Sequence, residues 1–265
     1  MSQLVSRVLV ALVALPPVLG IVYLGGWPLA LLAGAACILA LHELFQLLRP
    51  LRPVALAGFA GSLAAIAGAL VGGPEWALAG FLVTLPLAFL LKGLSGTRGP
   101  TAVSVSATVL ASAWVGLGLA HIVLLREIEF DGRLAVFTVL LAVFADDTAA
   151  YFAGRLVGRH KLAPAISPGK TWEGFVAGSA AAILVTWIAL YEEGFMEGYR
   201  SFVLGGVIAL TAPLGDLFES AIKRDAEVKD AGRLLGGHGG VLDRLDAHLF
   251  AAVAAFYVIA AYGAA

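Results

Sequence analysis

The sequence predicts an all-α protein that crosses a membrane about nine times, and three observations carry that reading. Mean hydropathy is +0.94, with 60% hydrophobic and 13% charged residues. A soluble domain averages roughly 45–50% apolar and about 25% charged. The excess recurs as runs of about 20 residues, the length that crosses a ~30 Å hydrocarbon core as helix. Period-2 alternation is weak along these runs, which argues against a membrane barrel, whereas a spanning helix satisfies its own backbone.

In chain order the runs are Val5–Leu24, Trp27–Leu48, Val54–Val71, Ala77–Leu91, Ala102–Leu125, Leu134–Val157, Gly174–Tyr191, Phe202–Ile222 and Val241–Ala261. Arg7 before the first run imitates a signal peptide, but no small-x-small cleavage site follows, so a retained helix is expected. Pro16-Pro17 is tolerable there as a kink if neighbours satisfy the freed carbonyls. The third and fourth runs are short and rich in Gly and Ala. Small residues such as Gly58, Gly61, Gly68, Gly178 and Ser179 favour close helix–helix approach. The single cysteine, Cys37, lies within a span, which excludes a disulfide or thiolate metal site within one chain. No linker or internal repeat is evident. Residues 1–130 read as N-terminal membrane helices and 131–265 as C-terminal membrane helices with catalytic loops, within one integrated membrane domain.

The polar connections alternate in charge. One set holds Arg49/Arg52, Lys92/Arg98, Arg155/Arg159/Lys161/Lys170 and Lys223/Arg224/Lys229/Arg233, which with Arg7 makes thirteen basic residues. The other holds only three, Arg126, Arg133 and Arg200, among Glu75, Glu127, Glu129, Asp131, Glu192, Glu193 and Glu197. The positive-inside rule then puts the N-terminus and both long basic loops in the cytoplasm, and nine spans put the C-terminus outside.

Three clusters on the cytoplasmic side could carry chemistry. The first starts with Asp146 and Asp147, passes Tyr151 and runs out through a loop ending Ser167-Pro-Gly-Lys-Thr-Trp-Glu-Gly174. Adjacent acids on a helix point about 100° apart, and pairing with Arg155 or Arg159 is the bland alternative. Gly169-Lys170-Thr171 has the ending of a Walker P-loop, but Pro164 stands where its first glycine belongs and no strand is expected before it. Phosphate contact by Ser167, Lys170 and Thr171 at a helix start remains, since helix N-termini attract anions. Glu173 suits the cap of that helix.

The second cluster, Asp216, Glu219, Ser220 and Lys223, recurs at three- and four-residue spacing and forms one polar stripe, continued by Arg224. Ionisable groups within a span are expensive and by default functional. An internal Asp216–Lys223 or Glu219–Lys223 ion pair is the structural alternative. The third cluster, Asp243-Arg244-Leu245-Asp246, opens the last span after a loop in which Gly236, Gly237, Gly239 and Gly240 bracket His238. Glycines there let backbone N–H groups approach an anion. Opposed carboxylates of Asp216 and Asp243 would repel unless a cation lay between them, and oxygen ligands favour Mg²⁺ shared with substrate phosphates. His238 lacks a second His or Cys at ligand spacing and suits phosphate contact better. Hard acids, surplus cations and a glycine loop at the headgroup plane together suit phosphoryl or nucleotidyl transfer on a lipid.

The pattern Ser220-x-x-Lys223-Arg224-x4-Lys229-Asp230, then His238-Gly239-Gly240-x-x-Asp243-Arg244-x-Asp246, resembles that of phosphatidate cytidylyltransferases (CDP-diacylglycerol synthases). Asp147-Thr-Ala-Ala-Tyr151 and Ser167–Gly174 are similar to that family too, with Ala149 and the extra Asp146 as departures. The resemblance runs from about residue 140 to 250, whereas 1–130 match only in being hydrophobic with many spans. It implies transfer of the cytidylyl group of CTP to phosphatidic acid, with pyrophosphate released, in a bacterial inner (plasma) membrane. It also implies a metal centre held by Asp216 and Asp243 with Asp246 nearby, and phosphate clamps from the basic residues. Ser167, Lys170 and Thr171 would contact the nucleotide. CTP, phosphatidic acid and the bilayer are the expected partners, nucleic acid is not, and a homodimer is left open. A CTP-dependent lipid kinase of the dolichol-kinase type and a cation-coupled transporter are the alternatives, and the glycine-basic loop favours a triphosphate over a permeating ion.

Overall fold

A computed structural model describes residues 15–96, 99–129, 131–232 and 239–262. Among them seven helical runs are long and apolar enough to cross a membrane: Gly26–Leu47, Ala55–Leu94, Thr101–Arg126, Gly132–Leu156, Trp172–Leu190, Tyr199–Asp225 and Leu242–Ala261. A shorter apolar helix, α1 (Leu15–Leu24), precedes them. Many large apolar side chains point outward, including Leu31, Leu56, Val71, Phe89, Phe144, Val176, Ile188 and Leu210. Apolar faces of this extent suit hydrocarbon as the solvent and not water. The chain is all-α and multi-pass, and it divides into two compact units.

The first unit takes the described residues up to Glu127 together with Asp230–Arg244. Its helices are α1, α2 (Gly26–Leu47), α3 (Ala55–Leu82), α4 (Thr84–Leu94), α5 (Thr101–Ala111) and α6 (Leu117–Arg126). On α2 the buried residues Leu29, Ala30, Ala33, Cys37, Ala40, Leu41 and Leu44 recur every three or four positions, which makes one inward stripe. Cys37 is a small buried apolar residue, as expected. The run Ala55–Leu94 is not one straight rod. Gly73 takes φ 75°, ψ −160°, outside helical space, and Pro74 starts a new helical segment, a position where proline's missing N–H does no harm. The chain reverses there. A Cβ on Gly68 would meet the Trp76 carbonyl, one on Gly80 the Ala64 backbone, and one on Gly61 the Thr84 side chain. Residues 55–72 and 74–94 therefore lie side by side, which is how two short glycine- and alanine-rich runs become a closely packed pair.

A π turn, Ser112–Gly116, joins α5 to α6. Two polar stitches hold the ends of this unit. Arg126 donates from Nε to Val22 O (3.0 Å) and from Nη2 to Tyr23 O (2.8 Å) and Leu24 O (3.1 Å), so it takes up the last carbonyls of α1. Next to it, Glu127 accepts from Gly26 N (2.9 Å) at the start of α2. At the opposite end of α2, Thr108 Oγ1 accepts from Val54 N (2.8 Å) and Ser104 Oγ donates to Leu51 O (3.2 Å). These two fix the 3₁₀ turn Arg49–Leu51 and the start of α3.

The second unit comprises Ile128–Lys229 and the chain from Leu245. Its helices are α7 (Gly132–Leu156), α8 (Trp172–Leu190), α9 (Tyr199–Asp225) and most of α10 (Leu242–Ala261). Between α7 and α8 the residues predict only loop. The structure places a short antiparallel hairpin there, β1 (Lys161–Ala163) with β2 (Ser167–Thr171), in register Lys161↔Thr171 and Ala163↔Ser167. Pro164-Ala165-Ile166 makes the turn, with Ile166 N bonded to Ala163 O (3.2 Å). Runs this short and polar carry no alternation signal, which is why the strands are not legible in the sequence. The P-loop reading still fails, because Lys170 lies in the strand and not in a loop around phosphate.

Small residues bring these helices to backbone contact. A Cβ on Gly178 of α8 would meet the Asp146 carbonyl (2.8 Å) and Oδ1 (2.9 Å) on α7, and one on Gly205 of α9 would meet Ile183 Cα (2.7 Å) on α8. A Cβ on Gly215 of α9 would strike the Asp246 carbonyl on α10.

The hairpin at Gly73 yields a packing test. Gly80→Val inserts atoms where the Ala64 backbone already sits, an overpacking that costs about 1–3 kcal/mol or more. Its unfolding temperature in detergent is expected to fall by several degrees. Gly93→Ala, where nothing lies within 4 Å, is expected to match wild type. Equal melting of both variants would contradict the antiparallel packing.

Candidate functional site

The polar groups of the second unit gather where β2, α9 and the start of α10 meet. Lys170, near the end of β2, is the link: its Nζ lies 2.8 Å from Asp216 Oδ2 and donates to Pro213 O (3.4 Å) on α9. The strand geometry explains the reach. Lys161↔Thr171 pairing fixes the end of β2 and leads directly into α8, whose N-cap Thr171 accepts from Gly174 N (3.1 Å). Lys170 is therefore held one residue before a fixed helix start. Its side chain is 22% exposed and that of Asp216 33%, so the pair is partly wet.

Asp216 Oδ1 accepts from Ser220 Oγ (3.2 Å), one turn on. Another turn along the stripe, Lys223 Nζ meets Glu219 Oε2 at 2.5 Å, with the Glu219 side chain only 1% exposed. Of the two ion pairs weighed from the sequence, Glu219–Lys223 forms, while Asp216 turns instead to Lys170. A buried ion pair is weak evidence of net stability, but removing one partner of it is strongly destabilising. Asp246 on α10 is buried and interacts with the charges of Glu219, Asp216 and Asp147. The close approach of α9 and α10 at Gly215 is what brings Asp216 and Asp246 together.

The surrounding residues frame this cluster. Asp146 is buried on α7, its Oδ1 without a hydrogen-bond partner, and it interacts with the charges of Asp147 and Lys170. Asp147 is exposed, as the 100° offset of neighbouring helical residues requires. Arg155 Nη1 donates to Tyr151 Oη (2.9 Å), one turn earlier on the same helix. Arg224 donates from Nε to Ile166 O (3.2 Å) in the hairpin turn and from Nη1 to Val228 O (3.4 Å), so it spans from α9 to the β1–β2 turn. Glu173 lies in the first turn of α8, where an acid suits the helix start. It accepts from His160 N (3.2 Å) and faces His160 Nδ1 at 2.7 Å, while Thr171 does the capping. Ser167 starts β2 and is half-buried. Lys229 is exposed at the end of this unit.

A second group of functional candidates belongs to the first unit. Asp243 accepts from Ala231 N (3.0 Å) and Gly240 N (2.7 Å), which folds Ala231–Gly232 and Gly239–Gly240 around one carboxylate. Gly239 takes φ 80°, and a Cβ there would lie 2.8 Å from Asp243 Oδ2. Asp230 and Arg244 are exposed at the two ends of this segment. His238 falls outside the described residues, with Arg233, Gly236 and Gly237.

One further acid reaches this segment from α2. Glu43 of α2 is 5% exposed, and its carboxylate accepts from Val241 N (3.1 Å) and Leu242 N (2.8 Å). An acid in the last turns of an apolar run, at His42-Glu43, is the only signal that could have flagged it. Among the described residues no group of three or more His, Cys, Asp or Glu converges as a ready metal cage.

Residues 5–262 match the profile of the Cytidylyltransferase family. A protein named phosphatidate cytidylyltransferase from Mycobacterium bovis (strain ATCC BAA-935 / AF2122/97) is 37% identical over 251 residues, covering 86% of this chain and 79% of that protein. One of the same name from Staphylococcus haemolyticus (strain JCSC1435) is 34% identical over 250 residues, covering 92% and 94%. A third, from Mycobacterium leprae (strain TN), is 45% identical over 158 residues, 58% of this chain and about half (49%) of that protein. The match thus extends through the N-terminal helices, where the sequence alone showed only hydrophobicity. With a family profile matched from residue 5 to 262 and relatives at this identity and coverage, the chain belongs to the cytidylyltransferase family.

Proposed function

We propose that this protein transfers the cytidylyl group of CTP to phosphatidic acid, giving CDP-diacylglycerol and pyrophosphate. The observation that carries the reading is the Lys170–Asp216 pair, set among Glu219, Lys223 and Asp246 at the polar end of apolar helices, in a chain of this family. The names of the relatives support the choice of CTP and phosphatidate.

The chemistry needs no covalent protein group. A phosphatidate phosphate oxygen attacks the α-phosphorus of CTP, a new P–O bond forms, and the bond to the bridging oxygen breaks with that electron pair leaving on pyrophosphate. The protein's part is to position two anions and to offset charge that develops on the leaving group. Lys170, Lys223 and Arg224 supply cations, with Arg244 beside the glycine segment. Ser167, Thr171, Ser220, Lys229, Asp230, His238, Gly239 and Gly240 complete the nucleotide and lipid contacts of the proposal, with Asp147 at the cluster's edge.

Mg²⁺ is the proposed cofactor, and it would supply Lewis-acid neutralisation of the phosphates when bound. The donor chemistry fits: the acids offer hard oxygen ligands, and Mg²⁺ commonly uses one or two carboxylates plus substrate phosphates rather than an all-protein cage. The buried Oδ1 of Asp146, without a hydrogen-bond partner, is a further hard oxygen close to Lys170. Asp216 and Asp243 are the acids assigned to it from sequence.

The deciding assay uses CTP labelled at the α-phosphate or at the γ-phosphate, with phosphatidate in mixed micelles. The α-label is expected in lipid. The γ-label alone in lipid would mean a kinase, and neither would leave the transporter reading. In the same assay Asp216→Asn and Asp243→Asn, taken singly, are each expected to lose at least about 100-fold in turnover with a shifted Mg²⁺ dependence. Wild-type Mg²⁺ dependence in either would remove that acid from the metal proposal.

The proposal includes nine spans, counting the run Val5–Leu24 as the first and 55–72 and 74–94 as two, with the N-terminus and the site facing the cytoplasm. The thirteen-to-three split of Lys and Arg supports this orientation. In a Cys37→Ala background, Lys161→Cys and Glu193→Cys are expected to react with an impermeant thiol reagent from opposite sides of the membrane. Outside labelling of Lys161→Cys would overturn the orientation.

A further inference from the structure

Glu43 is an acid from the N-terminal helices, yet its hydrogen bonds run 198 and 199 residues along the chain to the segment that carries Asp243 and Arg244. Its two oxygens divide the work, Oε1 with Val241 N (3.1 Å) and Oε2 with Leu242 N (2.8 Å). These N–H groups open α10 and have no partner within the helix, so Glu43 does from another helix what an N-cap does locally. The fit is tight. A Cβ on Gly232 or on Gly240 would collide with the Glu43 carboxylate. Gly240 is thus held from both sides: its N–H donates to Asp243 Oδ2 (2.7 Å), and its Cα faces Glu43. Burying an acid near a span's end is expensive, and capping by a local Ser or Asn would have served the helix alone. The geometry instead anchors the Gly239–Leu242 backbone to α2.

We propose that Glu43 is a positioning residue for the reaction: it fixes the start of α10 and thereby sets Asp243 and Arg244 for the nucleotide phosphates. The inference rests on the cytidylyl-transfer reading for its kinetic consequence but not for its structural one. It also gives the N-terminal helices a part in the chemistry beyond membrane embedding.

The test uses the full chain in detergent micelles, with Glu43→Gln, Glu43→Asp and Glu43→Ala. Glu43→Gln keeps the shape but turns an amide NH₂ toward one of the two N–H donors. Hydrogen exchange across Gly239–Arg244 is expected to speed up by about tenfold in Glu43→Gln and more in Glu43→Ala, with α7–α9 unchanged. Catalytic efficiency with CTP is expected to fall about 10- to 100-fold, the scale of losing an outer-shell partner, while KM for phosphatidate stays at the wild-type value. Glu43→Asp, which retains both oxygens, is expected to recover part of each loss. Unchanged exchange at Gly239–Arg244 in Glu43→Gln would overturn the proposal, as would faster exchange with wild-type kinetics for CTP. Faster exchange in a protein whose wild type transfers nothing from CTP would support the anchoring and overturn the reaction instead.

Discussion

In a chain this apolar, one charged contact sets the geometry of the second unit: Lys170 against Asp216 at 2.8 Å. It spans 46 residues of sequence and ties a two-stranded hairpin to the middle of a proline-containing helix. Each partner needs the other. Asp216 lies within an apolar helix, where an uncompensated carboxylate is expensive, and Lys170 answers it from the strand, with Asp146 also near enough to feel its charge. The β1–β2 pairing, the Thr171 cap and the Arg224 bond to Ile166 O all serve to hold the lysine at that point. Both groups of this pair are more exposed than those of Glu219–Lys223, where the acid is buried and the lysine only slightly open.

The two units use carboxylates differently. In the second, acids of α9 and α10 crowd together, and Lys170 and Lys223 stand against them. In the first, Glu43 and Asp243 accept from backbone N–H groups, so their carboxylates shape a glycine segment. Glycine is needed there for a reason of space as well as of φ, since a side chain at Gly232 or Gly240 would displace the acid that organises the turn.

Much of this was legible in the residues. Run lengths and charge asymmetry located all seven long helices to within a few residues at most ends, because a spanning helix must be continuous and apolar. The α9 stripe was legible because three- and four-residue spacing fixes one helical face, and it correctly offered Glu219–Lys223 as a pair. What the sequence could not supply was tertiary partnership. Lys170 looked like a helix-start phosphate ligand, and its bond to Asp216 depends on a hairpin too short to leave a periodic signal. Glu43 had no motif around it, since its partners are backbone amides that any residue at 241 and 242 would offer. The reversal at Gly73-Pro74 could be read as a boundary, but the backbone contact of Gly80 with Ala64 could not.

If Lys170 and Asp216 act as one unit, a double-mutant cycle shows it. Turnover of cytidylyl transfer at saturating CTP would be measured for Lys170→Gln, Asp216→Asn and the double variant. The double is expected to be scarcely slower than the slower single, because residues that work as one unit are non-additive. Two losses that multiply in the double variant would show that the residues act independently and that the 2.8 Å pair does not organise the site.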